Sequence, residues 1–356
     1  LRRAVVLLDR GMLSGIVKNL VGAVSKSLSL GEEITIGTRN MDEYPDALLE
    51  ELFKRCDRPT LYRLKFVCKR FYNVLSDPLI WIELCERDGR TLPPTSLRQQ
   101  VAGTEREFDY ETIWTKDPYR NNLVPALSDR LEQLDRNDSA IKWQISSESR
   151  GGMVLEEPPI GLREDREDIP RCIATSYSWG RTLLYVDLTR CGVPEWALDE
   201  LRPPISVSIS VAPRFDCGCL FKMHAQLLRA DEMFDSRASL PRFHTLTKEF
   251  PQWDVAKWET VDTIFEDYPV GMRVVGILCE GKDTQFWAGN YGCKFTAPQV
   301  RVNLPSDLRI LEPSEFPDGE KTYIEAEAPF IALRFAPPGA HAGIGRFRRR
   351  GGFRPG

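Results

Sequence analysis

The segment KDTQFWAGNYGCKF, residues 282–295, places Phe286, Trp287, Tyr291 and Phe295 among Gly289, Asn290 and Gly292. Glycine and asparagine license bends and positive φ, so the backbone is expected to reverse direction here. Such turns lie at the surface, where each large aromatic left in water forgoes about 1.5–3 kcal/mol of burial. These rings therefore either cover the edge of a core or face a ligand.

Other chemistry-bearing residues are sparse. Cys217, Cys219 and His224 are three potential soft or borderline metal ligands, but no fourth stands at a recognisable spacing, so no metal site is expected. The chain has three histidines, His224, His244 and His341, and none stands near a plausible nucleophile with a third orienting group. The glycine-bearing segments lack a phosphate-loop pattern. Neither an intrinsic catalytic activity nor a cofactor is expected.

The elements that must carry these residues divide into two textures. Residues 41–89 read as three short helices. Pro45 and Asp46 suit a first turn, and Leu48, Leu49, Leu52 and Phe53 recur at helical spacing. Pro59-Thr60 opens a second helix whose apolar face runs from Leu61 to Leu75. Asp77-Pro78 opens a third, carrying Leu79, Trp81, Ile82 and Cys85. Three helices this short make a thin core that needs a partner to cover it. Residues 90–118 are expected to be a connector with a short helix near Phe108–Trp114. Thereafter the pattern turns to β: ISVSISV (205–211) alternates strictly, and MRVVGILCE (272–280) and QVRVNLP (299–305) are β-branched runs closed by turn residues. Such strands, with proline- and glycine-rich connections, predict an antiparallel sandwich.

Composition bounds the partners. The 356 residues carry a net charge of −4, with 42% hydrophobic and 28% charged, so the chain as a whole has no pull toward nucleic acid or anionic membrane. No apolar run approaches the roughly 20 residues of a spanning helix. Nine cysteines, mostly scattered singly, fit a reducing compartment better than a disulfide scaffold. Residues 1–40 are expected to be a leader without stable structure. The first thirty, basic with the single acid Asp9, also have the composition of a mitochondrial transit peptide. Asn137-Asp138-Ser139 is taken as a chance sequon. The end, GIGRFRRRGGFRPG (343–356), is expected to be a solvated, disordered tail; an RNA-binding role for its arginines is the remote alternative.

Two resemblances organise these observations. YPDALLEELFKRCDRPTLYRLKFVCKRFYNVLSDPLIWIELCERDG (44–89) resembles an F-box, with VCKRFY, the SDP cap and Trp81 as its most specific parts. YRNNLV (119–124), TSYSW (175–179), LLYVDL (183–188), FDCGCLFKMHAQL (215–227), FEDYPVGMRVVGILCEGKDTQFWAGNYG (265–292) and VRVNLP (300–305) resemble the F-box-associated domain of the sugar-recognising F-box proteins. The resemblance implies an α+β multidomain chain: a small three-helix F-box at 41–89, a connector at 90–118, and a ten-stranded, jelly-roll, galactose-binding-like β-sandwich at 119–305, followed by a tail at 306–356.

The F-box implies docking to the Skp adaptor and cullin core of a ubiquitin ligase. Pro45, Leu48, Leu49, Leu52 and Phe53 would supply the anchor face. The second domain implies, as in several members, binding to the inner chitobiose of N-glycans through Tyr177, Asp216, Phe286 and Trp287. Flat rings suit the C–H face of a sugar, and a carboxylate or amide suits its hydroxyl rim. The implied role is a non-catalytic receptor in the cytoplasm that delivers misfolded, high-mannose glycoproteins to ubiquitination and degradation. Two positions depart from the sugar-binding pattern: Ala288 stands where some members have lysine, and Phe286 where tyrosine is more usual. A receptor recognising a protein surface without glycan is therefore the rival expectation, and Trp287 as a core residue its structural counterpart.

Overall fold

The first unit has four short helices where three are expected. In the computed structural model, which describes residues 45–127, 140–145, 152–163, 166–238 and 241–311, these are α1 (Asp46–Phe53), α2 (Arg58–Leu64), α3 (Lys69–Val74) and α4 (Pro78–Arg87). The leader at 1–40, the Asn137 sequon and the arginine-rich tail lie outside the described residues. The predicted second helix is divided in two. After α2, Phe66 and Val67 close tight turns onto Arg63 and Leu64, and Cys68 becomes extended at φ −156°. The Cys68 thiol then accepts the Phe71 N–H at 3.5 Å as the cap of α3. Asp57 and Asp77 cap α2 and α4 by accepting the Thr60 and Leu79 N–H groups at 3.0 and 2.9 Å.

The thin core of these helices finds its cover in the connector. Phe53 and Phe71 meet edge to face at 5.1 Å, and Trp81 donates to the Leu75 carbonyl at 2.8 Å. Trp81 also packs at 5.5 Å against Trp114 of α6 (Tyr110–Lys116), close to the predicted connector helix, and Trp114 donates to Asp88 at 2.8 Å. A further helix, α5 (Thr95–Val101), has no apolar periodicity strong enough to announce it. The connector is equally tied to the second unit. Phe108 packs on Trp196 at 4.9 Å, Lys116 donates to the Arg190 carbonyl at 2.6 Å, and Leu123 N–H donates to Val300 at 2.9 Å. A continuous buried cluster runs through both units.

The second unit has strands β1 (Ile141–Ile145), β2 (Met153–Glu156), β3 (Cys172–Thr175), β4 (Gly180–Asp187), β5 (Ile205–Ala212) and β6 (Cys219–Leu228). They continue with β7 (Phe243–Phe250), β8 (Glu259–Phe265), β9 (Val274–Asp283), β10 (Lys294–Phe295) and β11 (Gln299–Val302). The four-residue helix α7 (Leu188–Cys191) and a π-helical turn at Ala197–Leu201 follow β4. All pairings are antiparallel, in a sheet of order β1-β4-β9-β6-β7 and a second of order β11-β5-β10-β3-β2, with β8 on the other edge of β5. Eleven strands are thus described rather than ten, the two-residue β10 bridging β3 and β5.

Alternation places the core. Ile205, Val207, Ile209 and Val211 of β5 face inward, as do Cys219, Phe221, Met223, Ala225 and Leu227 of β6. Phe221 and Phe295 meet across the two sheets at 5.6 Å. Each such large side chain contributes about 1.5–3 kcal/mol, and the resulting rigid framework fixes where its loops emerge.

Candidate functional site

The registers dictate which loops meet. Gly180 pairs with Gly281, Cys219 with both Asp283 and Phe250, Lys294 with both Ala174 and Ala212, and Val211 with Glu259. The connections 176–179, 213–218, 251–258 and 284–293 therefore all leave the same end of the sandwich. Hydrogen bonds tie them together. Asp283 N–H donates to Ser176 O at 2.8 Å, Thr284 N–H to Gly218 O at 2.9 Å, and Gly292 N–H to Thr175 O at 2.8 Å. Gly292 is required by this close approach: a Cβ there would collide with Thr175 and with the backbone of Ser176 and Asp283.

The 284–293 loop is built on the fully buried Asp283. Its carboxylate accepts the N–H groups of Phe286 at 2.7 Å and Trp287 at 3.2 Å, the local bonding that lets aspartate organise a turn. Phe286 is consequently held in the left-handed region at φ +58°, with its ring 73% exposed. Trp287 is 36% exposed, and Tyr177, on the 176–179 loop, 51%. Trp287 is therefore not a fully buried core residue.

Asp216 lies at the same end, with its Oδ1 accepting from Arg214 Nε at 2.8 Å. The Arg214 guanidinium lies 4.3 Å from the centroid of Tyr291, and Tyr291 meets Trp287 edge to face at 5.5 Å. The acid and the indole expected from the sequence are thus joined through Arg214 and Tyr291, two residues that reasoning from the sequence did not single out as site residues. Arg214 stands only two positions from Asp216, but nothing local shows that it reaches Tyr291. Phe215 and Trp253, the latter at φ +70°, add further exposed rings to this end. The arrangement is a group of exposed rings with the Asp216 carboxylate at the same end of the sandwich. Two clefts of about 330 and 250 Å³ are lined by none of these rings: one, along Pro158, Ile169 and Trp258, adjoins this end through the 251–258 connection, and the other lies between Phe108 and Val193.

The expected adaptor face needs correction. Leu49, Leu52 and Phe53 are buried in the helical core, while only Pro45 and, in part, Leu48 reach the surface. A stripe at spacing 48, 49, 52, 53 is what an inward helix face also looks like, and here it faces inward. The large apolar groups that do face solvent are Tyr62, Phe66, Tyr72 and Leu79, with Tyr62 and Phe66 edge to face at 5.2 Å.

Cys219 points into the core and His224 outward, five residues along the same strand, so their ligand atoms diverge. All nine cysteines are free thiols, and burial pushes the Cys217 thiol up to about 11. His224 has the partners its sequence neighbourhood did not reveal: Thr245 Oγ1 at 2.9 Å and Glu280 Oε2 at 3.1 Å. This line of groups lies on the outer face of the β1-β4-β9-β6-β7 sheet, where the His224 and Glu280 side chains are each only 14% exposed.

The family model described as F-box associated region matches residues 114–302, and that of the F-box domain matches residues 45–83. F-box only protein 6 of Homo sapiens is 29% identical over 83% of this chain and 95% of its own length. F-box only protein 44 of Homo sapiens is 28% identical over 75% and 98%, and F-box only protein 27 of Macaca fascicularis 27% over 73% and 88%. Among solved structures, TmCBM61 in complex with beta-1,4-galactotriose overlaps 51% of this chain and 99% of its own at 8% identity and a TM-score of 0.29, too remote to carry an argument.

Proposed function

The chain belongs to the F-box associated family, with an F-box domain preceding that region, and from this we propose that it is a substrate receptor of a Skp–cullin–F-box ubiquitin ligase whose sandwich tip captures N-glycans. The observation that carries the glycan reading is the tip itself. Tyr177, Phe286 and Trp287 expose their rings on loops that β-strand ends hold in place. Placing large aromatics in water forgoes burial energy, and a pyranose with one C–H face would recover it. Loops already fixed by Asp283, Ser176 and Gly292 lose little entropy on binding.

In this reading the chain does no chemistry of its own. It brings a glycoprotein with an accessible chitobiose core beside the ubiquitin-transfer machinery, which fits misfolded clients returned to the cytoplasm. No described helix is long and apolar enough to cross a membrane. The adaptor would be met through Tyr62, Phe66 and Leu79 together with Pro45 and Leu48, rather than through Leu49, Leu52 and Phe53. A glycan array probed with the full chain tests the lectin role: no preference for chitobiose-bearing or high-mannose glycans would remove it.

One observation favours a second reading. Ala288 offers no polar group beside the rings, and Asp216 is already engaged by Arg214, so fewer groups remain for hydroxyls. The same tip would then grip a protein surface. Free chitobiose displaces a glycan-dependent client and leaves a protein-dependent one bound.

A further inference from the structure

Trp179, in the loop that leads into β4, has two ammonium groups converging on its half-buried ring. Lys282 Nζ lies 5.0 Å and Lys222 Nζ 5.2 Å from its centroid, and Lys282 Nζ is also 6.0 Å from the ring of Phe286. The register explains the meeting. Lys222 stands opposite Glu280, two residues from Lys282 on β9, so all three project from the outer face of the β1-β4-β9-β6-β7 sheet.

Two like charges sharing one ring repel, and Glu280 is the carboxylate placed to relieve them. It is committed elsewhere: its oxygens accept from Arg181 Nε at 2.5 Å and meet His224 Nε2 at 3.1 Å. Glu249, opposite Leu220 in register, forms no ion pair with either lysine, and among the described residues no other carboxylate does. Two ammonium groups that pair with no carboxylate among the described residues, both held close to one indole ring beside the exposed tip, have the chemistry of an anion subsite.

We propose that Lys222, Lys282 and Trp179 form a subsite for an anionic group carried by the bound glycan, either a phosphate monoester or the carboxylate of an acidic sugar. This rests on the reading of the tip as a sugar platform, because Lys282 joins Trp179 to Phe286 and so makes the two surfaces continuous. Compact ammonium donors suit either oxyanion.

The test titrates the full chain calorimetrically with a neutral high-mannose glycan, the same glycan bearing one mannose phosphate, and a sialylated chitobiose-core glycan with its desialylated counterpart. At low salt the acidic glycan of the correct type binds about tenfold tighter than its neutral partner. That ratio shrinks as salt is raised, because exposed charges are screened. Lys222→Met combined with Lys282→Met, which keeps the apolar stems over Trp179, brings the ratio to near one, and the paired arginine substitutions retain most of it. A preference for the phosphorylated glycan assigns phosphate, and one for the sialylated glycan assigns carboxylate. Neutral and acidic glycans bound equally well overturn the subsite and leave the tip reading intact. Binding of none of the four overturns both.

Discussion

The Asp283 carboxylate holds the backbone of Phe286 in the left-handed region: Oδ1 accepts the Phe286 N–H at 2.7 Å while φ is +58°. The acid is fully buried at the last position of β9, so the most exposed ring of the tip is positioned by a group that no ligand touches. Asp283→Ala removes both acceptors of the turn and is expected to cost about 1.5–3 kcal/mol of stability. It should also weaken chitobiose binding more than Asp283→Asn, which keeps one amide oxygen for Phe286. Urea unfolding and calorimetric titration of the two variants check this.

Phe286 itself separates stability from function. A non-glycine residue in the left-handed region costs about 1 kcal/mol, and the ring gains little burial in return. Phe286→Gly is therefore expected to leave the melting temperature unchanged or slightly higher, while glycan affinity falls at least about tenfold. A variant that is destabilised yet binds normally would show that the ring serves packing.

The helical unit offers a paired comparison. Leu49→Asp buries a charge in the core and should unfold the unit, at a cost of about 3 kcal/mol or more, so its loss of adaptor binding would be uninformative. Phe66→Asp and Tyr62→Asp change exposed residues and should leave thermal melting within about 0.5 kcal/mol of the parent. Co-purification with the Skp adaptor is expected to fail for these two, and unimpaired co-purification would reject the exposed face.

The legible part of this chain is what period and turn chemistry determine locally. Strict alternation in ISVSISV marks β5, Asp77-Pro78 opens α4, and the glycines of KDTQFWAGNYG mark a surface reversal, all as found. Direction was harder. Leu49, Leu52 and Phe53 form an apolar stripe whether they face a core or a partner, and only tertiary packing chooses. Long-range partners were invisible: Asp216 to Tyr291 through Arg214, His224 to Thr245 and Glu280, and Lys222 with Lys282 over Trp179 depend on strand register, which no local pattern states.

Register also creates an acid-sensitive point. Burial pushes the Glu280 carboxyl up, but the hydrogen bonds and charges of His224 and Arg181 outweigh it and hold the group at about 2, against an ordinary 4.5. A carboxyl depressed in the folded state contributes stability that is fully present above the unfolded value and is lost as pH falls through the folded one. The window is therefore from about 4.5 down to about 2, and the contribution is on the order of 3 kcal/mol at most. Urea midpoints measured from pH 7 to pH 3 should fall more steeply for the parent than for Glu280→Gln below that upper bound. Parallel curves would mean that the group is not depressed.

The outer face of the second sheet holds a different kind of pair. Lys294 of β10 is fully buried and its Nζ lies 2.6 Å from Glu156 Oε2 of β2, reaching past β3, which separates the two strands. The same carboxylate oxygen accepts the Ile160 N–H at 2.8 Å, so it also anchors the segment that follows β2. Two ions in a dry site are stable only because each satisfies the other, and their net contribution to stability is small. Removing one alone is a different matter: Lys294→Met leaves a buried carboxylate without its counter-ion and should cost about 3–5 kcal/mol. Combining it with Glu156→Gln removes the stranded charge and keeps an oxygen for Ile160, so most of that loss should return. The pairwise term from such a cycle, measured by urea unfolding, is expected to be large. A near-additive double variant would mean that water reaches the pair and screens it.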